Sequence, residues 1–281
     1  MAYKTVTTFV TSAEEAAGSV AAAARLALEL DAHLDILALG VDRTQMGYSY
    51  VGGGAVLLQV AMERAEEDAK RCEAAVRLAL AREPVDLRWG VETAVTQIGA
   101  LADLVALRSR FADLVVVPRP YGPGRGSEAE AVVESALFEG QVPVLVVPTG
   151  HAMAAMPGRV VIGWNQSREA MVAIRAALPL LKTAHMVNIA VIDPPQHGPE
   201  RSDPGGMLCQ MLVRHGVKAE VSVLARSMPR VSDILSRHLR DVNADLLVMG
   251  AYGHSRLREA ILGGATRNML EQAEVPVLMA H

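Results

Sequence analysis

Aromatic residues make up only 4% of the sequence, and its 281 residues include just two cysteines, Cys72 and Cys209. So few rings cannot furnish a stacking platform for single-stranded nucleic acid. Two cysteines so far apart fit neither a zinc spacing nor a redox pair, and they suit a reducing cytoplasm. Positive charge is not in excess either. The net charge of -4 and pI of about 6.1 come with no basic stripe that would follow a phosphate backbone. Long apolar runs are missing too. The most apolar early stretch, Ala16 to Leu30, carries Arg25 and Glu29, is too short for a membrane span, and predicts a helix. The opening Met1-Ala2-Tyr3-Lys4-Thr5 lacks the layout of a signal peptide. Neither HExxH, paired CxxC, a Walker A lysine motif nor a GxSxG elbow occurs. These absences predict a cytoplasmic protein with no nucleic-acid partner and no membrane partner.

What is present is core material arranged twice. Hydrophobic residues make up 51% and charged residues 21%, as in a globular protein large enough for two domains of about 140 residues each. Short continuous apolar runs bounded by turn residues read as buried strands, and alanine- and leucine-rich stretches between them read as helices. In the first half the predicted strands are Val6–Thr11, Leu34–Leu39, Val85–Trp89, Leu114–Val117 and Pro143–Pro148, with Ser12 as the cap of the first helix. In the second half they are Val160–Trp164, Val187–Ile192, Val217–Leu224, Leu246–Met249 and Glu274–Met279. The halves repeat one another. Ala32-His33 matches Ala184-His185, Ala112-Asp113-Leu114 matches Ala244-Asp245-Leu246, and Val142-Pro143-Val144-Leu145 matches Val275-Pro276-Val277-Leu278. The paired histidines suggest a shared structural place. Alternating strands and helices predict two tandem doubly wound α/β domains with parallel sheets, residues 1–150 and 158–281, joined by 149–158.

The halves differ in one loop. In the second, the strand ending at Gly250 is followed by Gly253, then by Gly263 and Gly264, and then by a helical segment from Ala265. A strand, a glycine-bearing loop and a helix start can cradle a phosphate. Glycines let the backbone approach an anion, and free N–H groups at a helix N-terminus point towards it. The same glycines could equally serve tight turns alone.

This pattern, Gly250-x2-Gly253-x9-Gly263 closing in Val275-Pro276-Val277-Leu278, together with Trp164-Asn165-Gln166-Ser167-Arg168-Glu169-Ala170 after the first strand, resembles the universal stress proteins. The resemblance covers both halves. It implies five-stranded parallel sheets of order 3-2-1-4-5, and it implies ATP or another adenine nucleotide, with Mg, in the second domain. It also implies an intramolecular pairing of the two domains and a possible homodimer. Carried onto this sequence, it places Asn165 at the nucleotide, where aspartate is frequent, and Val191 at the adenine through its backbone. Gly250, Gly253 and Gly263 would line the ribose and phosphates. The family's hydroxyl residue after the last glycine is replaced by Gly264, with Thr266 two residues on. Loss of one hydrogen bond to a charged group costs about 1.5–3 kcal/mol, roughly tenfold to a hundredfold in affinity.

The first half lacks the glycine pattern. Pro118 stands at the place of Gly250 and Thr11 at that of Asn165, while alignment on the last strand puts Glu130 and Ala131 at the places of Gly263 and Gly264. Its loop Gly122-Pro123-Gly124-Arg125-Gly126-Ser127, with Arg119 nearby, could bind some anion but reads first as a flexible surface loop. Three functions remain open. One is a stress-response protein that binds a nucleotide, another is an interaction module with an empty crevice, and the third is a slow ATP hydrolase. The hydrolase would need cations at the phosphates, and Arg256, Arg258 and Arg267 are the nearest.

Overall fold

The apolar runs become parallel strands in the computed structural model of the protein, which describes residues 2–44, 54–122, 125–151, 156–194, 202–251 and 264–281. Contacts divide the chain between Val142 and Pro143. The first unit contains β1 (Thr5–Val10), α1 (Ala16–Glu29), β2 (His33–Asp42), α2 (Gly54–Leu80) and β3 (Arg88–Gln97). After a 3₁₀ turn at Ile98–Ala100 come α3 (Leu101–Ser109), β4 (Leu114–Pro118) and α4 (Ser127–Phe138). Its strands run parallel in the order β3-β2-β1-β4.

The second unit begins with β5 (Val144–Val147), then β6 (Arg159–Trp164), α5 (Arg168–Leu181), β7 (Met186–Ile192), α6 (Gly206–Arg214) and β8 (Ala219–Leu224). It ends with α7 (Val231–Asp241), β9 (Leu246–Gly250), α8 (Ala265–Gln272) and β10 (Val277–Ala280). The order β8-β7-β6-β9-β10 is parallel throughout and is the expected 3-2-1-4-5. The strand β5 falls in this unit although its place in the repeat makes it the fifth strand of the first half. It pairs antiparallel with β10, Val277 opposite Val146 and Met279 opposite Val144. Both strands are fully buried, so each needs partners for its backbone groups, and this pairing supplies them along one edge.

The repeat has a physical basis at the start of each sheet. Asp113 Oδ2 accepts the backbone N–H groups of Lys4 (2.7 Å) and Thr5 (2.9 Å). Asp245 takes those of Gly158 (2.8 Å) and Arg159 (3.1 Å) in the same way. The backbone N–H of His33 donates to Lys4 and that of His185 donates to Gly158, both at 2.8 Å. A carboxylate therefore ties the first strand to the fourth in each unit. The neighbouring histidine holds the second strand through its main chain. This is the shared role that the sequence suggested.

Two local expectations are corrected. The third strand runs over Arg88–Gln97, in register from His33 opposite Arg88 to Asp42 opposite Gln97, while Val85 is fully exposed in the preceding turn. An edge strand with both faces partly open carries mixed residues and no apolar run. Ser12 does not cap α1. Its hydroxyl donates to the carboxylate of Glu14 (2.5 Å), and the helix starts four residues later with Glu15 at its cap. Among the described residues no helix is long and apolar enough to cross a membrane.

The second unit also holds a partly buried polar chain. Asn188 of β7 donates to Glu220 Oε1 (3.0 Å) and Ser222 Oγ (2.8 Å) of β8, and its carbonyl oxygen lies 2.7 Å from Nε2 of His238 on α7. With the Asn188 oxygen as acceptor, Nε2 of His238 must carry the proton.

Candidate functional site

At the carboxyl end of β6 the chain turns sharply into α5. Asn165 Oδ1 accepts the N–H of Ser167 (3.1 Å), Gln166 takes a left-handed φ of 63°, and Ser167 Oγ accepts the N–H of Ala170 (3.1 Å) as the helix cap. The side-chain oxygen of Asn165 is thus used in shaping the turn, which leaves its exposed Nδ2 group as the donor for a ligand. Val191 lies opposite Trp164 near the end of β7 and is 4% exposed, so its backbone is what it can offer at this rim.

Gly250 ends β9 against the first turn of α5. A methyl group there would come within 2.5 Å of the Ala170 nitrogen and 2.7 Å of the Glu169 carbonyl carbon. The glycine is needed for this close approach whatever else it does. Asn165, Val191 and Gly250 therefore lie at the ends of three adjacent strands, β7-β6-β9. The next residue, Ala251, is anchored through its N–H to Ala280 (2.9 Å), and His281 Nδ1 lies 3.0 Å from the Ala251 carbonyl oxygen.

Gly264 is the extended cap of α8 and provides no side-chain cap, and its carbonyl accepts the N–H of Asn268 (3.1 Å). The first-turn N–H groups of a helix have no partner within it. Thr266, second in α8, is only 3% exposed, so its side chain packs inward rather than lining an open surface. Arg267 pairs with Glu271 at 3.0 Å. Gly253 and Gly263, with Arg256 and Arg258, lie outside the described residues.

The first unit is built differently at the same place. Pro118 ends β4 as Gly250 ends β9, and Thr11 follows β1 as Asn165 follows β6. Beside them lies a cavity of about 440 Å³ lined by Thr11, Glu15, Arg43, Arg125, Gly126 and Glu128 among others. Arg43 pairs with Glu128, and Arg125 pairs with Glu15. The Arg125 and Glu128 side chains are 9% and 6% exposed. This corrects two expectations. Arg125 is not part of a solvated loop, because its guanidinium is drawn in by Glu15. The carboxylate at the start of α4 is that of Glu128, while Glu130 lies further along the helix and accepts the Tyr121 hydroxyl (2.8 Å). Gly126, the cap of α4, takes the role that Gly264 has on α8. The signal was present in the sequence: a cap glycine, Ser127 and an acidic first turn mark a helix start.

Residues 156–281 match the universal stress protein family. The second half of the chain is thus similar to the universal stress proteins. A stretch of 69 residues is 36% identical to a universal stress protein of Synechocystis; it covers 25% of this chain and 23% of that relative's length. Over 98% of its length the chain superposes on a universal stress protein from Archaeoglobus fulgidus, covering 95% of that chain with a TM-score of 0.63 and 15% identity. A functionally unknown protein from Pseudomonas aeruginosa covers 99% of this chain and 92% of its own, with a TM-score of 0.55 and 14% identity. At such identities these structures show a shared fold. Both halves thus have the α/β architecture of universal stress proteins, and the family match itself lies on the half that carries the glycine pattern.

Proposed function

We propose that the second unit binds an adenine nucleotide, ATP foremost, at the carboxyl ends of β6 and β9. The observation that carries this reading is the switch point. From β6 the chain steps to β7 and β8 on one side and to β9 and β10 on the other, so a crevice opens between β6 and β9 where ligands of such sheets sit. Asn165 and Gly250 stand at its two lips. The helix α8 starts behind an extended glycine with no side-chain cap, and the positive end of a helix suits a phosphate. The residues present fit the ligand. Asn165 Nδ2 and the backbone at Val191 would hold the nucleoside. The backbone at Gly250, Gly253, Gly263 and Gly264 and the first turn of α8 would hold the phosphates, with Mg accompanying them. The nucleotide then acts as a bound signal or stabiliser in a stress response.

A second reading, an interaction module with an empty crevice, draws on two observations. Packing alone accounts for Gly250, and Gly264 removes a hydroxyl from the phosphate end. Calorimetric titration with Mg-ATP, ADP and AMP decides between them. The nucleotide reading expects one site per chain that weakens at least tenfold in Gly263→Asp. No heat and no thermal shift with any of the three would favour the module.

A further inference from the structure

We infer that the crevice of the first unit is an anion site whose anions are part of the chain, so that it is closed to external phosphates. Three observations meet there. The cavity of about 440 Å³ lies where β1 ends and α4 begins, and four charged side chains line it, Arg43 and Arg125 against Glu15 and Glu128. The charges are matched as two pairs, Arg43 with Glu128 and Arg125 with Glu15. The Glu128 carboxylate folds back over the helix cap, so that a methyl group on Gly126 would collide with it. A buried carboxylate therefore sits at the positive end of α4, paired with an arginine, where a phosphate would otherwise find both partners.

The equivalent helix position in the other unit shows the contrast. Glu128 is the second residue of α4 and Thr266 the second residue of α8, behind extended glycine caps in both. One domain keeps its helix start free of an acid, and the other fills it with its own. A carboxylate held in the same chain competes at an effective concentration on the order of millimolar or above, so a weakly bound external anion is excluded. The first unit then keeps its fold with no phosphate-bearing ligand.

Neutralising Glu128 without changing its shape reopens the site, because two lining cations then face one carboxylate. The test is titration of the full chain with sodium pyrophosphate. Glu128→Gln is expected to gain one binding site absent from the wild type. The Glu128→Gln/Arg43→Ala double variant is expected to lose that gained site. Unfolding of the first unit, followed by Trp89 fluorescence in a Trp164→Phe background, should show stabilisation of Glu128→Gln by pyrophosphate that the wild type does not show. Should Glu128→Gln fail to fold, Glu128→Ala removes the same carboxylate and is expected to give the same gain. A folded neutral variant with no gained site would overturn the inference. So would a gained site that survives Arg43→Ala, or a wild-type chain that already binds pyrophosphate through Arg43.

Discussion

Replacing Gly250 by alanine tests the close approach on which the proposed crevice is built. The glycine does not adopt a positive φ, so alanine suits its backbone and the whole cost arises from contact. The added methyl would meet the Ala170 nitrogen at 2.5 Å and the Glu169 backbone carbon at 2.7 Å. These are main-chain atoms in the first turn of α5, which cannot swing aside as the end of a side chain can. Overpacking of this kind costs about 1–3 kcal/mol, against about 0.4–1 kcal/mol gained by restricting the unfolded chain. The expected net loss is about 1–2 kcal/mol, a downward shift of the urea midpoint by roughly 0.5–1 M. The two tryptophans make the assay specific, since Trp89 lies in the first unit and Trp164, 7% exposed, in the second. In a Trp89→Phe background, Trp164 emission follows the second unit alone. Gly163→Ala is the control, its methyl meeting nothing nearer than Met249 Cβ at 3.6 Å, and it should change stability by less than about 0.5 kcal/mol. If Gly250→Ala is as stable as the control, the backbone of β9 does not press on α5 and the packing role of Gly250 is wrong.

Other perturbations probe the supports of the same domain. Asp245→Ala strands the N–H groups of Gly158 and Arg159 and should cost about 1.5–3 kcal/mol in the Trp164-monitored transition, with Asp245→Asn recovering part of it. Burial holds the imidazole of His238 below its ordinary pKa of 6.5, against the opposing pull of Asp241 and Glu220. The unfolded chain therefore takes up the proton first as pH falls, and the second unit loses stability from about pH 6.5 down to the folded-state value. Urea midpoints between pH 7.5 and 5.5 should show this loss, and His238→Gln should flatten it. Burial also pushes the Cys72 thiol up to about 11, with Asp68 and Glu14 adding to the effect, so iodoacetamide at pH 7.5 should modify Cys72 only after unfolding.

The architecture was legible because the strands that carry it are buried on both faces. Leu246 to Met249 and Leu114 to Val117 are continuous apolar runs, and Asp113 and Asp245 mark the same join twice. Legibility failed where tertiary contacts decide. Arg88–Gln97 is an edge strand without an apolar run, so Val85–Trp89 looked like the better strand. The pairing of β5 with β10 joins residues far apart in the sequence, and no local pattern announces it. In the second unit Asn165, Val191 and Gly250 came from the family resemblance, and the fold sets them at the ends of the adjacent strands β6, β7 and β9. In the first unit, alignment on the last strand led to Glu130, because α4 starts at Ser127, well before the place that alignment implies. The carboxylate in the crevice is that of Glu128, and its partner Arg43 comes from the end of β2, a juxtaposition that only the fold creates.

The most direct test of the central claim is the stoichiometry of whatever ligand the purified chain retains. Mild denaturation followed by mass spectrometry should release an adenine nucleotide at close to one per chain, lost in Gly263→Asp and unaffected by Arg43→Ala. Two nucleotides per chain would contradict the closed first unit. None released, with no binding on adding Mg-ATP, would contradict the nucleotide site itself.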